Sequence, residues 1–159
     1  MSHTAAALPF GTKSIRNLSD IEDYLEGLNT NDPRAFTPYY SKDAIFKWSG
    51  QPEKTVHEFL DWVMNVHVSV TEELSLCKAI FNQDGTVIAA EITMQFRGNG
   101  NFQTDNFVGK WGPVWPGHGP LVKAYVWYTL TTDGHIIEAI EDAYLMKAAM
   151  PPRTIKSLL

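Results

Sequence analysis

The sequence has one cysteine, Cys77, which excludes an internal disulfide framework and any cysteine-based zinc cluster, and fits a reducing compartment, the cytoplasm. No apolar run approaches the length of a membrane span. Lys and Arg never cluster and the net charge is −5, so neither a nucleic-acid partner nor an anionic membrane surface is expected. Residues 1–14 hold no basic segment followed by an apolar one, and no secretory signal is expected. A Gly-rich phosphate loop, a nucleophile elbow and a Cys–His pairing are also missing, which leaves nucleotide-dependent and covalent-hydrolase chemistry without support.

What the chain does have is apolar and aromatic. Hydrophobic residues make up 44% and charged residues 19%, a balance that folds. At 159 residues there is enough chain for one domain with a core of its own. Five Trp, six Tyr and eight Phe exceed what packing alone asks of a small domain, and an aromatic-lined pocket for a flat, apolar molecule is the expected use.

Periodicity divides the chain into a flexible arm (1–13), one domain (14–148) and an irregular tail (149–159) that opens with Pro151-Pro152. Leu18, Ile21, Leu25 and Leu28 predict a helix starting from Ser14. Asp32 then caps a short second helix with Pro33 in its first turn. A strand is expected over 44–48, and a third helix begins at Thr55, where Thr55 and Glu58 have capping-box spacing. Two hairpins follow, 74–81 with 86–97 and 121–131 with 135–146, turning at Asp84-Gly85 and Asp133-Gly134. The Gly-, Asn- and Pro-rich stretch between them, 98–119, is the length of a functional loop and is expected to be a pocket lid. Helices first and antiparallel strands after them is an α+β order.

The stretch from Glu22 through Asp32, followed by Phe36, Tyr40 and Lys42-Asp43-Ala44, resembles the opening of NTF2-like, SnoaL-like proteins. The ending, Asp133-Gly134-His135-Ile136-Ile137-Glu138 running on to Glu141 and Tyr144, is similar to that family's last strand. The resemblance covers roughly residues 14–148 and implies an NTF2-like cone: three N-terminal helices packed in a strongly curved mixed or antiparallel sheet around an apolar pocket. It also implies a homodimer. The family includes ketosteroid isomerases, scytalone dehydratases, limonene epoxide hydrolases and polyketide cyclases beside non-catalytic members, so fold does not settle function. Tyr24 matches the ketosteroid-isomerase tyrosine that stabilises an enolate oxygen, whereas Trp48 stands where those enzymes keep their aspartate base. Glu141 matches a pocket carboxylate of the epoxide hydrolases, but Glu91 and Thr93 replace their Arg and Asp.

Four residues are therefore candidates for proton chemistry: Glu141, Tyr24, Glu91 and His67. Alternation puts Glu141 among Ile137, Ala139 and Ala143, where burial would raise its pKa and ready it as an acid or base. Glu91 shares a face with Thr93 and Gln95. Hydrophobicity turns that face to water, while the resemblance turns it to the cavity, and the resemblance is followed here. Tyr24 would donate a hydrogen bond to an oxygen gaining charge. His67, at the end of the third helix's apolar stripe, would be the partner acid or base. Trp48, Trp62, Thr93, Tyr125, Trp127 and His118 are the candidate substrate contacts, with Tyr128 a further wall residue. His57-Glu58-Phe59-Leu60-Asp61 imitates a zinc-binding helix, but Thr55 accounts for Glu58 as a cap, and no metal is expected.

The expected protein is a cofactor-free isomerase, cyclase or dehydratase (a lyase) of secondary-metabolite biosynthesis, acting on a small aromatic or polyketide-like molecule. The alternative is a non-catalytic carrier of an apolar ligand, or a dimeric interaction scaffold.

Overall fold

The computed structural model describes residues 7–48, 51–99 and 114–146. The expected lid over 98–119 and the tail over 149–159 fall largely or wholly outside these residues, as do the first six residues of the expected arm.

The elements run α1 (Leu18–Asn29), α2 (Pro33–Phe36), a 3-10 turn (Thr37–Tyr39), β1 (Tyr40–Trp48), β2 (Lys54–Thr55), α3 (Val56–His67), β3 (Val70–Phe81), β4 (Val87–Gly98), β5 (Leu121–Leu130) and β6 (Ile137–Met146). The first helix starts four residues later than its apolar spacing predicts. Asn17 and Asp20 form a reciprocal capping box there, and Ser14 instead donates its hydroxyl to the Gly134 carbonyl at 2.6 Å. The next residue, Ile15, is buried, and its N–H donates to His135, so the chain entering α1 is fastened to the β5–β6 turn. The cap of α3 forms as expected: Thr55 accepts from the Glu58 N–H while Glu58 accepts from the Thr55 N–H.

The strands make one mixed sheet in the order β2-β1-β6-β5-β4-β3. β1 runs parallel to β6; every other pairing is antiparallel. This is the NTF2-like α+β cone, with three helices laid on one face of a sheet that does not close. Close approach requires Gly27 in α1, since a Cβ there would stand 2.8 Å from the Ala35 carbonyl oxygen of α2. The far edge of the sheet is covered as well. The Asn29 side chain donates to the Leu74 carbonyl at 2.9 Å and accepts from the Leu74 N–H at 2.6 Å, so one amide pairs with edge strand β3 as a strand would.

The core lies between the helices and the inward face of the sheet. Ile88, Ala90, Ile92, Met94 and Phe96 of β4 meet Val122, Ala124, Val126 and Tyr128 of β5, all buried. Strand β6 breaks simple alternation. Ile137 and Ile140 are both buried, three residues apart, because the β5–β6 register shifts between Thr129 and Leu130. That shift exchanges the faces of the rest of the strand.

Candidate functional site

A partly open cavity of about 90 Å³ lies under the helices. By the same measure one water needs roughly 10–15 Å³, so the space suits a molecule of about one aromatic ring. Its wall is a run of rings from β1 and α3. Phe46 stacks on Phe59 at 4.2 Å, Trp48 lies 5.2 Å from Phe59, and Trp62 lies 5.1 Å from Trp48. Alternation along β1 delivers Phe46 and Trp48 to the same face, and the i, i+3 spacing in α3 delivers Phe59 and Trp62. Ile92, Met94, Val126 and Ile140 complete the apolar surface.

Five titratable side chains break that surface: Tyr24, His67, Glu72, Tyr128 and Asp142. His67 closes α3 and Glu72 opens β3, so a short turn brings the two together, with the imidazole Nε2 3.1 Å from Glu72 Oε2. Both side chains are mostly buried. The other ring nitrogen, Nδ1, bonds to the Asn31 side-chain oxygen. Asn31 follows the end of α1 with a positive φ of 57°, a conformation Asn tolerates better than most residues. One imidazole is thus held between an amide at the surface and a carboxylate in the cavity, the geometry of a proton-sharing pair.

Across the cavity the tyrosines form a second polar group. The Tyr24 and Tyr40 hydroxyls are 2.8 Å apart, and the Tyr24 ring stands edge-on to Tyr128 at 5.9 Å. Burial first, and then Tyr40, Glu72 and Asp142, push the Tyr24 phenol well above its usual range. Burial, Tyr24 and Asp142 do the same to Tyr128. Both phenols therefore stay protonated at neutral pH and remain hydrogen-bond donors. Either hydroxyl can donate in this pair, and the arrangement with Tyr40 as donor leaves the Tyr24 proton for a ligand.

The structure brings together Tyr24, His67, Trp48 and Trp62 of the expected site, and it turns the others away. Glu141 is exposed on the outer face, 3.0 Å from Lys47. The β6 register shift is the reason: it is the next residue, Asp142, that lines the cavity beside Ile140. Glu91 is buried yet also faces outward, clamped by Lys123 at 2.6 Å and Lys78 at 3.3 Å. The hydrogen bond from Lys123, and then that from Lys78, hold its carboxyl below the usual range, the opposite of the elevation a general acid needs. Hydrophobicity, which turned this face to water, was the better guide. Thr93 lies on the same outer face, opposite Lys123. Tyr125 and Trp127 do too, 38% and 56% exposed. His118 sits in a bridge with Trp115 beyond the end of β4 and is not among the lining residues. Among the described residues no group of His, Cys, Asp and Glu is arranged to hold a metal ion, and His57 instead packs edge-on to Phe10 at 5.8 Å.

Glu72 and Asp142 were missed for different reasons. Glu72 alternates with Val70, Leu74 and Leu76 and would have been found had the strand been begun at Val70 instead of Leu74. Asp142 lies beyond a register shift that the order of residues does not announce.

No family model matches the sequence, and no curated protein is similar to it at a significant level. Solved structures do match. A candidate polyketide cyclase from Xanthomonas campestris is 19% identical with a TM-score of 0.64, over 79% of this chain and 87% of that one. Another, from Pseudomonas putida, is 19% identical with a TM-score of 0.63, over 79% and 88%. An LEH-like epoxide hydrolase from M. tuberculosis is 13% identical with a TM-score of 0.58, over 79% of each. At these identities the likeness is one of fold.

Proposed function

We propose that the protein is an acid–base enzyme of the isomerase, cyclase or dehydratase kind, acting on a small aromatic or polyketide-like molecule held in the cavity. The observation that carries this reading is the meeting of the His67–Glu72 pair with the protonated Tyr24 in a cavity otherwise walled by rings. In it, the ligand ring lies against Trp48 and Trp62, which also exclude water. The His67–Glu72 pair takes a proton from carbon and returns one. Tyr24 donates to the ligand oxygen that gains charge, and such a donor works best where water is scarce. The fold shared with candidate polyketide cyclases agrees with this chemistry and leaves its product open.

The base can be tested without the natural substrate. In 5-nitrobenzisoxazole, a base removes the ring C–H proton, the N–O bond breaks, and a coloured cyanophenolate forms. The wild-type protein is expected to open this ring with saturation, and Glu72→Gln to remove most of the acceleration. A wild-type rate no faster than buffer would leave the carrier reading in its place.

The same reading includes a homodimer formed over the outer face of the sheet, supported by the exposure of Ile80, Tyr125 and Trp127 there. Light scattering would test it, and a monomer mass would contradict it. Among the described residues no helix is long and apolar enough to cross a membrane. A cytoplasmic site of action is part of the proposal, supported by the single Cys77.

A further inference from the structure

Three phenols meet at one side of the cavity, and their protons are unequally used. Tyr24 and Tyr40 share one hydroxyl proton in the 2.8 Å bond that joins their oxygens. Tyr40 is not among the lining residues, whereas Tyr24 and Tyr128 both are. Tyr128 is only 3% exposed, and its hydroxyl has no hydrogen-bond partner among the described residues. Its neighbours across the sheet are Ile88 on β4 and Ile140 on β6, both buried and without a polar side-chain atom. A buried hydroxyl left unpaired lowers stability, and phenylalanine would pack against the same isoleucines without that loss. Packing therefore explains the ring of Tyr128 and not its hydroxyl.

That hydroxyl lies near the other two. The Tyr128 ring stands edge-on to Tyr24 at 5.9 Å. Charge on the Tyr24 oxygen would raise the Tyr128 phenol, and charge on the Tyr128 oxygen would raise that of Tyr40. With Tyr40 donating to Tyr24, the two protons left over belong to the two phenols that line the cavity. We infer that Tyr128 is a second hydrogen-bond donor of the site, and that Tyr24 and Tyr128 together hold one oxygen of the ligand. Such an oxygen accepts twice, as a carbonyl does through its two lone pairs. The ligand class is the aromatic ketone or aldehyde, its oxygen between the phenols and its ring against Trp48 and Trp62. Tyr40 is then a positioning residue, since its donation turns the Tyr24 proton towards the ligand. The inference rests on the reading of this cavity as the ligand site, and it holds whether or not the bound molecule is turned over.

Acetophenone and α-methylstyrene test it as a pair, because they differ only in a carbonyl oxygen set against a methylene group. Acetophenone labelled at its carbonyl carbon is expected to show a downfield resonance when bound, as hydrogen bonds to the oxygen cause. Tyr128→Phe is expected to weaken acetophenone about tenfold, to leave α-methylstyrene within about twofold, and to reverse part of the downfield shift. Tyr24→Phe is expected to reverse another part. The wild-type protein gives a reading that needs no variant: acetophenone, and not α-methylstyrene, is expected to move the Tyr128 ring carbon that bears the hydroxyl. Equal weakening of the two ligands in Tyr128→Phe would overturn the second donor and leave Tyr24 alone in that role. So would a Tyr128 carbon that responds to both ligands alike. If neither ligand binds, the cavity reading falls and the inference with it. A protein that binds acetophenone in this way yet leaves 5-nitrobenzisoxazole unopened would keep the inference and lose the acid–base reading.

Discussion

Glu141 and Asp142 are adjacent in the chain and do opposite things. Glu141 sits in the open on the outer face of the sheet, bound to Lys47, while Asp142 sits in the cavity with Ile140 and the tyrosines. The same contrast runs along the whole sheet. The outer face carries balanced ion pairs around Glu91, with exposed Trp127 and Tyr125 beside them. The inner face carries rings, aliphatic side chains and a few polar groups that find one another. A carboxylate is chemically useful on the second face and structural on the first. One residue of register decides which it becomes.

The comparison can be broken first through stability. Phe46 is fully buried between Phe59 and Trp48, and Phe46→Ala is expected to cost about 3–5 kcal/mol in chemical denaturation. Ile80 on the outer face is 70% exposed, and Ile80→Ala is expected to stay within about 0.5 kcal/mol. Equal losses would mean that the two faces have been wrongly assigned.

The next largest effect is on rate. Tyr24→Phe removes the donor to the developing oxygen but leaves the ring packing intact. Opening of 5-nitrobenzisoxazole is expected to slow by about 10²-fold, with little change in half-saturation. Trp127→Phe, on the outer face, should leave this rate unchanged.

Extremes of pH separate the faces in a smaller way. Tyr24, Tyr40 and Tyr128 all have phenols raised in the folded protein, mainly by burial. Their contribution is fully present below pH 10, the unfolded value, and is lost as pH rises beyond it. Glu91 is lowered by Lys123 and Lys78, so its contribution is present above its unfolded value of 4.5 and is lost as pH falls through the lower folded one. Glu91→Gln should therefore flatten the acid side of the stability profile and leave the alkaline side as it was. A variant that changed the alkaline side instead would contradict the assignment of Glu91 to the outer ion pairs.

Much of the fold was legible because local signals and fold agree. The Thr55–Glu58 box, the two Asp-Gly turns and the apolar stripe of α3 lie where spacing put them. The second helix has its Asp32 cap and its Pro33. What stayed hidden was non-local. The start of α1 depends on which of several polar residues caps it, and Asn17 is chosen because the chain before it is fastened to the β5–β6 turn. The site was half legible for the same reason. Tyr24, His67, Trp48 and Trp62 lie on elements whose faces are fixed by a regular period, and the structure brings them to the cavity. Glu141 and Glu91 lie on strands, where the choice of face needs a partner's register. For β6 that register slips by one residue, and the slip is set by the pairing of Leu130 with Ile137.

The central claim is that proton chemistry belongs to the inner face and not the outer. It is tested most directly by measuring the opening of 5-nitrobenzisoxazole by Glu72→Gln and Glu141→Gln side by side with the wild-type protein. The account predicts a loss of at least about 10²-fold for Glu72→Gln and a wild-type rate for Glu141→Gln. A slowed Glu141→Gln beside an undiminished Glu72→Gln would contradict it.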